Sequence, residues 1–203
     1  AHLVSGTLRG MGFEPRIIPA IYVKPFNKGQ KNDYNDAQAI AEASEHGRIR
    51  SVPVKSVEQQ NDQMLHKLRR GVSTERTRIS NQLRGLLAEY GVIIPQGIAA
   101  LRRELPLVLE DADNELTDRA RQLLNRQYQR FLEVEKELAW YDEQVKQMAK
   151  QDETCQRLQA IPGIGEVVAS LLKGWMGDGR QFRKGRDAAA ALGLVPRQNS
   201  TGG

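Results

Sequence analysis

Apolar residues recur every three or four positions along two stretches of the chain, residues 56–91 and about Leu116 to Lys150. This spacing predicts two long amphipathic helices. The first stripe consists of Leu65, Leu68, Val72, Ile79, Leu83, Leu86 and Tyr90. The second consists of Leu124, Tyr128, Phe131, Val134, Leu138, Tyr141, Val145 and Met148. A shorter helix is expected between them, at Ile98–Leu109. The two long helices most simply pack as an antiparallel, coiled-coil hairpin, although either apolar stripe could also pair with a second copy of the chain.

The first 54 residues mix helix-like and strand-like patterns instead. The segment HLVSGTLRGMG predicts the end of a helix that is closed by Gly12. The runs FEPRIIP and RIRSVPV are β-prone, and a helix to about His46 lies between them. We therefore expect a mostly α chain that begins with part of an α/β domain, whose first strands would precede Ala1.

A third pattern fills the end of the chain, where RLQAIPGIGEVVASLL predicts a helix, a tight turn and a second helix. In a helix-hairpin-helix element, such a turn binds the DNA backbone through free N–H groups at the start of the second helix. The turn residues are Pro162, Gly163, Ile164 and Gly165. An ordinary connection between two helices would also favour proline and glycine, so both interpretations stay open.

Charge adds a weak indication of a polyanionic partner. The 203 residues carry 30 Lys and Arg against 25 Asp and Glu, and the excess is concentrated at the two ends. The mean hydropathy is −0.56, and no apolar run approaches the roughly eighteen residues of a membrane span. The single cysteine, Cys155, excludes an internal disulfide framework and suits a reducing cytoplasm. The three histidines show no spacing typical of a zinc site.

Two aspartates in the segment KNDYNDAQAIAEA, Asp33 and Asp36, are three residues apart at the expected start of a helix. This spacing places both carboxylates on one helix face, where they could bind a divalent cation such as Mg²⁺. A two-metal site for phosphoryl transfer needs about four carboxylates, so the pair would supply half of one. Alternatively, Asp33 is the helix N-cap and Asp36 is an acid that stabilises the helix dipole.

The segment GLVPRQNSTGG contains Ser200 just before two glycines. A flexible turn of this kind could present the hydroxyl as a nucleophile. No histidine or lysine follows closely enough to act as an obvious local base, and an ordinary Ser/Gly loop explains the segment equally well.

Together these segments resemble a known family. YVKPFNKGQKNDYNDAQAIAEA resembles the end of the RuvC-like domain of the DEDD transposases, the group that includes the Piv-like DNA invertases. AIPGIGEVVASLL and FRKGRDAAAALGLVPRQNSTGG resemble the C-terminal transposase domain of the same family. The resemblance implies residues 1–54 as the end of a RuvC-like, RNase H-like domain. It implies residues 55–152 as the helical region and 153–203 as a truncated transposase domain with a helix-hairpin-helix.

The resemblance also implies an enzyme of a prokaryotic mobile element that cleaves and rejoins DNA with a divalent metal, Mg²⁺. Asp33 and Asp36 match the last two of four metal-binding acids, and Ser200 matches the nucleophilic serine. Further implied partners are a guide RNA from the element and a second copy of the chain through the long helices. The expected nucleic-acid-binding residues are Lys24, Lys28, Lys31, Pro162, Gly163, Ile164, Gly165, Arg183, Lys184 and Arg197.

Two further expectations remain. The chain begins without a methionine and ends directly after a turn signal, which indicates an incomplete chain. Since the first Asp and the Glu of the family's metal site would lie before Ala1, the 203 residues alone are expected to be inactive. The competing hypothesis is a non-catalytic helical module that binds nucleic acid, in which Asp33 and Asp36 only stabilise a helix start.

Overall fold

The computed structural model describes residues 2–27, 30, 32–47, 49, 51–52, 54–177, 179–180 and 182–195. The described residues form nine α-helices and a 3₁₀ turn at Lys24–Phe26. The helices are α1 His2–Gly10, α2 Ala20–Val23, α3 Asp33–Glu45, α4 Val57–Ala88, α5 Ile98–Glu110, α6 Asp118–Gln151, α7 Glu153–Gln159, α8 Glu166–Met176 and α9 Gly185–Ala191. The chain divides into two compact units, Ala1–Gln60 and Asn61–Gly203.

The mostly α prediction is confirmed, but its α/β part is not. Among the described residues, the two β-prone runs share one antiparallel bridge, in which the Val52 N–H donates to the Ile17 carbonyl over 2.7 Å. No longer strand forms in the part of the chain that the structure describes. Pro15 and Pro19 flank the Ile17 position and have no N–H to donate, which limits a ladder on that side.

In the first unit, α1 ends as its sequence predicts. Gly12 has a φ of +88°, a conformation that costs glycine little because it has no Cβ. The N–H groups of Gly12 and Phe13 donate to the carbonyls of Arg9 and Leu8, which is the hydrogen-bond pattern of a Schellman motif. The chain then turns toward α2.

In the second unit, which contains α4 from Asn61 onward, α4 and α6 lie side by side and run antiparallel. Three side-chain contacts join them: Arg69 with Asp142, Glu75 with Arg130, and Gln82 with Gln127. The residue number falls along α6 as it rises along α4, which requires opposite chain directions. Each of these two ion pairs has one exposed and one partly buried partner and contributes at most about 1 kcal/mol, so the apolar core between the helices carries most of the stability.

That core is a continuous cluster that includes Ile79 and Leu83 of α4, Leu101 of α5, and Phe131 and Val134 of α6. On α6, the predicted stripe is buried or partly buried along its length. On α4, the buried face is displaced from the predicted stripe, because Leu68 and Leu86 are exposed whereas Leu87, His66 and Ser80 are buried. The displacement buries two polar side chains, which the apolar stripe in the sequence does not indicate.

A proline inside α5 is matched by a tyrosine on α6. Pro106 has no N–H, so the Arg102 carbonyl four residues earlier lacks its helical donor. The Tyr128 hydroxyl donates to this carbonyl over 3.4 Å. Burial raises the pKa of Tyr128, which keeps the hydroxyl protonated as the donor requires.

Candidate metal-binding and nucleic-acid-binding sites

The first candidate site lies at the start of α3. Asn32 is the N-cap, with φ −150° and ψ 160°, and its Oδ1 accepts the Asn35 N–H over 2.7 Å. Asp33 is therefore the first helical residue and not the cap, so the alternative that made Asp33 the N-cap is wrong in this detail. The helix start is satisfied by an amide side chain, which leaves both carboxylates available for another role.

The two aspartates differ in their surroundings. Asp36 is half-buried, and its Oδ1 accepts a hydrogen bond of 2.6 Å from Nδ2 of Asn27, which directly follows the 3₁₀ turn. Asp33 is exposed, and no side chain within the described residues forms a hydrogen bond or ion pair with its carboxylate. A second contact, from Nδ2 of Asn35 to the Gln30 carbonyl over 2.8 Å, holds the preceding loop against the helix start.

The donor chemistry at this helix start suits a hard divalent cation, because carboxylate and amide oxygens are the ligands that such ions prefer. The number of acids is small, however. Within the described ranges, no group of three or more His, Cys, Asp or Glu side chains could hold a metal ion. Asp33 and Asp36 therefore fit part of a metal site, and its other ligands would come from elsewhere.

The second candidate site is the turn between α7 and α8. The Ile164 N–H donates to the Ile161 carbonyl over 3.1 Å, Pro162 is the second residue of the turn, and Gly163 has a φ of +88°. This arrangement is typical of a type II β-turn. Pro162 and Gly163 are exposed, whereas Ile164 packs against the small core formed by Ala149, Cys155 and Ala169.

The turn leads directly into α8, whose N-cap, Gly165, offers no capping side chain. The first N–H groups of α8 therefore have no side-chain acceptor at the cap, and they lie at the positive end of the helix dipole. Glu166 is in the first turn of α8, and its carboxylate would reduce the attraction for an anion. Such a helix start can accept a phosphate, with Glu166 as the opposing charge.

A polar cluster at the opposite end of α8 fixes this helix to its neighbours. Nζ of Lys173 lies 2.8 Å from Oδ2 of Asp152 and 3.6 Å from Oδ2 of Asp62. Asp152 also caps α7, since its Oδ1 accepts the Cys155 N–H over 2.8 Å. Nε2 of Gln63 donates to the Gly174 carbonyl over 3.2 Å. We call Asp62, Asp152 and Lys173 the acid–lysine cluster.

Electrostatics in the acid–lysine cluster favour the charged forms. The hydrogen bond to Asp152 raises the pKa of Lys173, and the charge of Asp62 adds to this effect. Burial alone would raise the pKa of Asp152, but hydrogen bonds from Lys173 and the Cys155 backbone outweigh it and leave that pKa below its ordinary value. Burial and the nearby Asp152 raise the pKa of the Cys155 thiol to about 11, so it remains protonated and unreactive.

A buried hydrogen bond joins α8 to α4. Ser170 Oγ lies 3.0 Å from His66 Nε2, and it donates to the Glu166 carbonyl over 2.7 Å. The Ser170 hydroxyl also lies 3.2 Å from the Val167 carbonyl, and the tautomer of the imidazole decides which partner donates in the contact with His66. Burial and the nearby Arg69 lower the pKa of His66, while Asp62 opposes them. Both side chains are buried, so this Ser–His pair connects helices and is not an exposed nucleophile.

The sequence predictions at these sites fall into three groups. Residues Pro162–Gly165 come together in one turn, and Asp33 and Asp36 lie together on α3. Lys24, Arg183 and Lys184 are exposed, as a phosphate contact requires. The remaining predicted residues lie outside the described residues: Lys28, Lys31, Arg197 and Ser200.

Sequence reasoning missed the contacts that hold α8 in place. Asp152 precedes Glu153 at a helix start and could have been recognised as a cap. The His66–Ser170 and Asp62–Lys173 contacts join residues more than a hundred positions apart, and no local pattern indicates them.

Each of the two candidate sites lies in a segment that matches a family of known proteins. Residues 1–92 match the transposase model of the DEDD, IS110 type, and residues 155–203 match that of the transposase IS116/IS110/IS902 family. The two models together match more than half of the chain. The chain belongs to the IS110 family of transposases. The resemblance that the sequence suggested is confirmed.

Curated relatives of this IS110-type chain are named as transposases. It is 43% identical over 196 residues to the transposase for insertion sequence element IS1111A of Coxiella burnetii, covering 97% of this chain and 54% of the relative. It is 41% identical over 204 residues to a probable family 20 transposase of Pseudomonas aeruginosa, covering 100% and 60%. It is 36% identical over 203 residues to the transposase for IS1328 of Yersinia enterocolitica, covering 100% and 60%.

The chain thus spans a little more than half the length of the curated relatives that it matches. No solved structure matches it. Among the helices of the described residues, none combines the length and the apolar character that crossing a membrane requires.

Proposed function

We propose that this chain is part of a transposase that cuts and rejoins the DNA of an insertion sequence with the help of a divalent metal ion, Mg²⁺. The observation that carries the proposal is the start of α3, where Asp33 and Asp36 share one helix face and Asn32 supplies the cap. This segment lies within the residues that match the DEDD transposase model.

In this proposal, Asp33 and Asp36 hold the metal, and Asn27 orients the Asp36 carboxylate through its hydrogen bond. The bound metal would neutralise the scissile phosphate and lower the pKa of an attacking hydroxyl. Two further acids would complete the site, as the family's four-acid pattern implies. Residues 1–54 would then be the end of a RuvC-like domain, 55–152 a coiled-coil hairpin and 153–203 the transposase domain.

Ser200 is the proposed nucleophile. Its Oγ loses a proton and forms a bond to the phosphorus, the bond from phosphorus to the leaving deoxyribose oxygen breaks, and that oxygen takes up a proton. The phosphodiester is thereby exchanged for a serine–phosphate ester of similar energy. A later attack by a DNA hydroxyl on this ester would release Ser200 and restore a DNA strand, so rejoining needs no external energy source.

DNA is proposed to contact the α7–α8 turn and the exposed cations. The turn residues Pro162–Gly165 would receive one backbone phosphate at the start of α8. The proposed cationic contacts are Lys24, Lys28, Lys31, Arg183, Lys184 and Arg197. These contacts involve phosphates and not base edges, so they would position the DNA without reading its sequence.

The proposal is tested by strand joining with a full-length protein that contains this chain, in the presence of Mg²⁺. We expect Asp36→Ala and Ser200→Ala each to abolish joining while DNA binding is retained, because each removes a reacting or metal-holding group. Asp113→Ala, an exposed acid in the α5–α6 connection, is the matched control and should join strands normally. Unchanged joining in either test variant would remove that residue from the mechanism.

Two finer parts of the proposal have their own tests. If the element's RNA guides the enzyme, purified protein should contain RNA, and ribonuclease should abolish joining at the correct site. If the long helices form a dimer, sedimentation should give twice the mass of one chain. Joining at the correct site after complete removal of RNA would reject the guide RNA. An active protein with the mass of one chain would reject the dimer. Neither result would bear on the roles of the metal and Ser200, which the strand-joining test decides.

A further inference from the structure

Trp175 and Phe182 form a stacked pair of aromatic rings next to the C-terminal end of α8. Their ring centroids are 5.5 Å apart, and the ring planes meet at 29°. Trp175 is 42% exposed, although an indole is among the largest apolar side chains, and Phe182 is half-buried. Phe182 supports the indole from one side, while much of the indole surface faces water.

The chain between the two rings is arranged to bring them together. Gly177 ends α8 with a φ of +56°, and Gly179 has a φ of +72°. Two hydrogen bonds close the reversal, from the Gly179 N–H to the Met176 carbonyl and from the Phe182 N–H to the Gly179 carbonyl. The two rings are therefore already stacked in a structure without ligand, which lowers the entropy cost of binding.

Exposed cations follow the pair directly. Arg183 and Lys184 come next in the chain, and Arg186 lies in the first turn of α9; all three are exposed. Along the chain, Asp178 lies between the two aromatic residues and Asp187 follows Arg186; Oδ2 of Asp187 accepts a hydrogen bond of 3.2 Å from the Lys184 backbone N–H. In sequence, the aromatic pair is thus followed directly by a group of exposed cations.

We propose that Trp175, supported by Phe182, stacks on an unpaired base of single-stranded DNA, and that Arg183, Lys184 and Arg186 contact the flanking phosphates. A nucleobase has an apolar face that an exposed indole can cover, and the phosphates on either side of it require cations. The inference rests on the proposed function, in which strands are cut and exchanged and therefore expose unpaired bases.

A protein partner fits this surface less well. An apolar interface between proteins usually has few charges at its centre, whereas three exposed cations follow Phe182 closely in the chain here. The charge complementarity favours a polyanion. Stacking also tolerates any base, so this site would retain a single strand without selecting its sequence.

The test uses the intact chain in a Trp140→Phe background, in which Trp175 is the only indole. Titration with a short oligothymidylate should quench the fluorescence of Trp175, since a stacked base lies against the ring. Fluorescence anisotropy of a labelled oligothymidylate measures its affinity for the protein, again in the Trp140→Phe background. This affinity should fall about tenfold in Trp175→Ala and stay within about threefold in Trp175→Phe. Affinity for duplex DNA should change less than about twofold in either variant.

Three results would overturn the inference. The first is binding of oligothymidylate without quenching. The second is an equal loss of duplex and single-strand affinity in Trp175→Ala. The third is a change in molecular mass in Trp175→Ala with unchanged DNA binding, which would make this surface a contact between copies of the chain.

A second pair of variants separates this inference from the proposed function. Gly163→Ala is strained at a positive φ and alters the turn that is proposed to bind duplex DNA, while the Trp175 surface is left unchanged. A Gly163→Ala protein should lose duplex affinity and keep its oligothymidylate quenching. Normal duplex binding by the Gly163→Ala protein would contradict the proposed DNA contact at the α7–α8 turn. Normal duplex binding without quenching in the Trp140→Phe protein would contradict only the proposed stacking on Trp175.

Discussion

The two units of this chain are stabilised in different ways. Within the described residues of Ala1–Gln60, the buried side chains are Ser5, Ala39 and Ala43, and the helices depend on caps such as Asn32. Asn61–Gly203 has a continuous apolar core and a buried polar connection between helices. The proposed metal ligands therefore lie in the unit with few buried side chains, whereas the proposed phosphate-binding turn lies in the unit with a continuous apolar core.

The difference should appear first in core substitutions of the second unit. Leu87 is fully buried, and its neighbour Leu86 is 46% exposed, so the two leucines form a matched pair on one helix. We expect Leu87→Ala to lower the free energy of unfolding by about 2–5 kcal/mol, and Leu86→Ala by less than about 1 kcal/mol. Urea denaturation followed by circular dichroism measures both. Equal effects would show that the displaced face of α4 is misassigned.

The acid–lysine cluster provides the next largest effect. Lys173→Met leaves Asp62 and Asp152 without their shared cation. We expect it to lower the free energy of unfolding, measured by urea denaturation, by about 1–3 kcal/mol, because the cluster is only partly buried. Lys146→Met, at an exposed position of α6, is the control. Since the folded pKa of Asp152 lies below its ordinary value, its stabilisation is present above the unfolded pKa of 3.8 and is lost as the pH falls through the folded value.

His66 should give a smaller effect that depends on pH. Its pKa is lowered in the folded chain, so the unfolded chain binds the proton more tightly and folding loses stability as the pH falls below about 6.5. Thermal unfolding between about pH 7.5 and pH 5 should show this decline, and His66→Gln should flatten it. If the decline in His66→Gln equals that of the unchanged chain, another group is responsible.

The smallest effect is expected in the first unit. Asn32→Ala removes the cap of α3 and should weaken that helix by about 1 kcal/mol, whereas Asn32→Ser should retain most of the stability. Hydrogen exchange of the α3 amides measures this locally, with the α6 amides as an internal reference. Slower or unchanged exchange in Asn32→Ala would show that the helix start does not depend on its cap.

The same contrast explains what the sequence could predict. The long helices were predictable because each buries one periodic apolar face, and the end of α1 follows from the positive φ that Gly12 adopts easily. The short strands were harder, because pairing depends on distant partners and, within the described residues, reduces to the Ile17–Val52 bridge. Local pattern could not distinguish a complete sheet from one pair.

The sites show the same division between local and distant information. The α7–α8 turn was predictable from proline and glycine alone, since a type II turn needs these residues at adjacent positions. The cap is Asn32, one residue before the Asp33 that the sequence suggested, because either side chain could accept the N–H of the first turn. The burial of His66 and Ser170 was not predictable, because a histidine and a serine become buried only when another helix supplies their partner.

The Tyr128–Arg102 hydrogen bond has a consequence for the family's history. The hydroxyl at position 128 is needed only while position 106 is a proline, because any other residue there would supply the missing N–H itself. Homologous chains should therefore change the two positions together, with phenylalanine replacing tyrosine where the proline has been lost. Covariation between positions 106 and 128 would record which residue pair each lineage has kept, proline with tyrosine or another residue with phenylalanine.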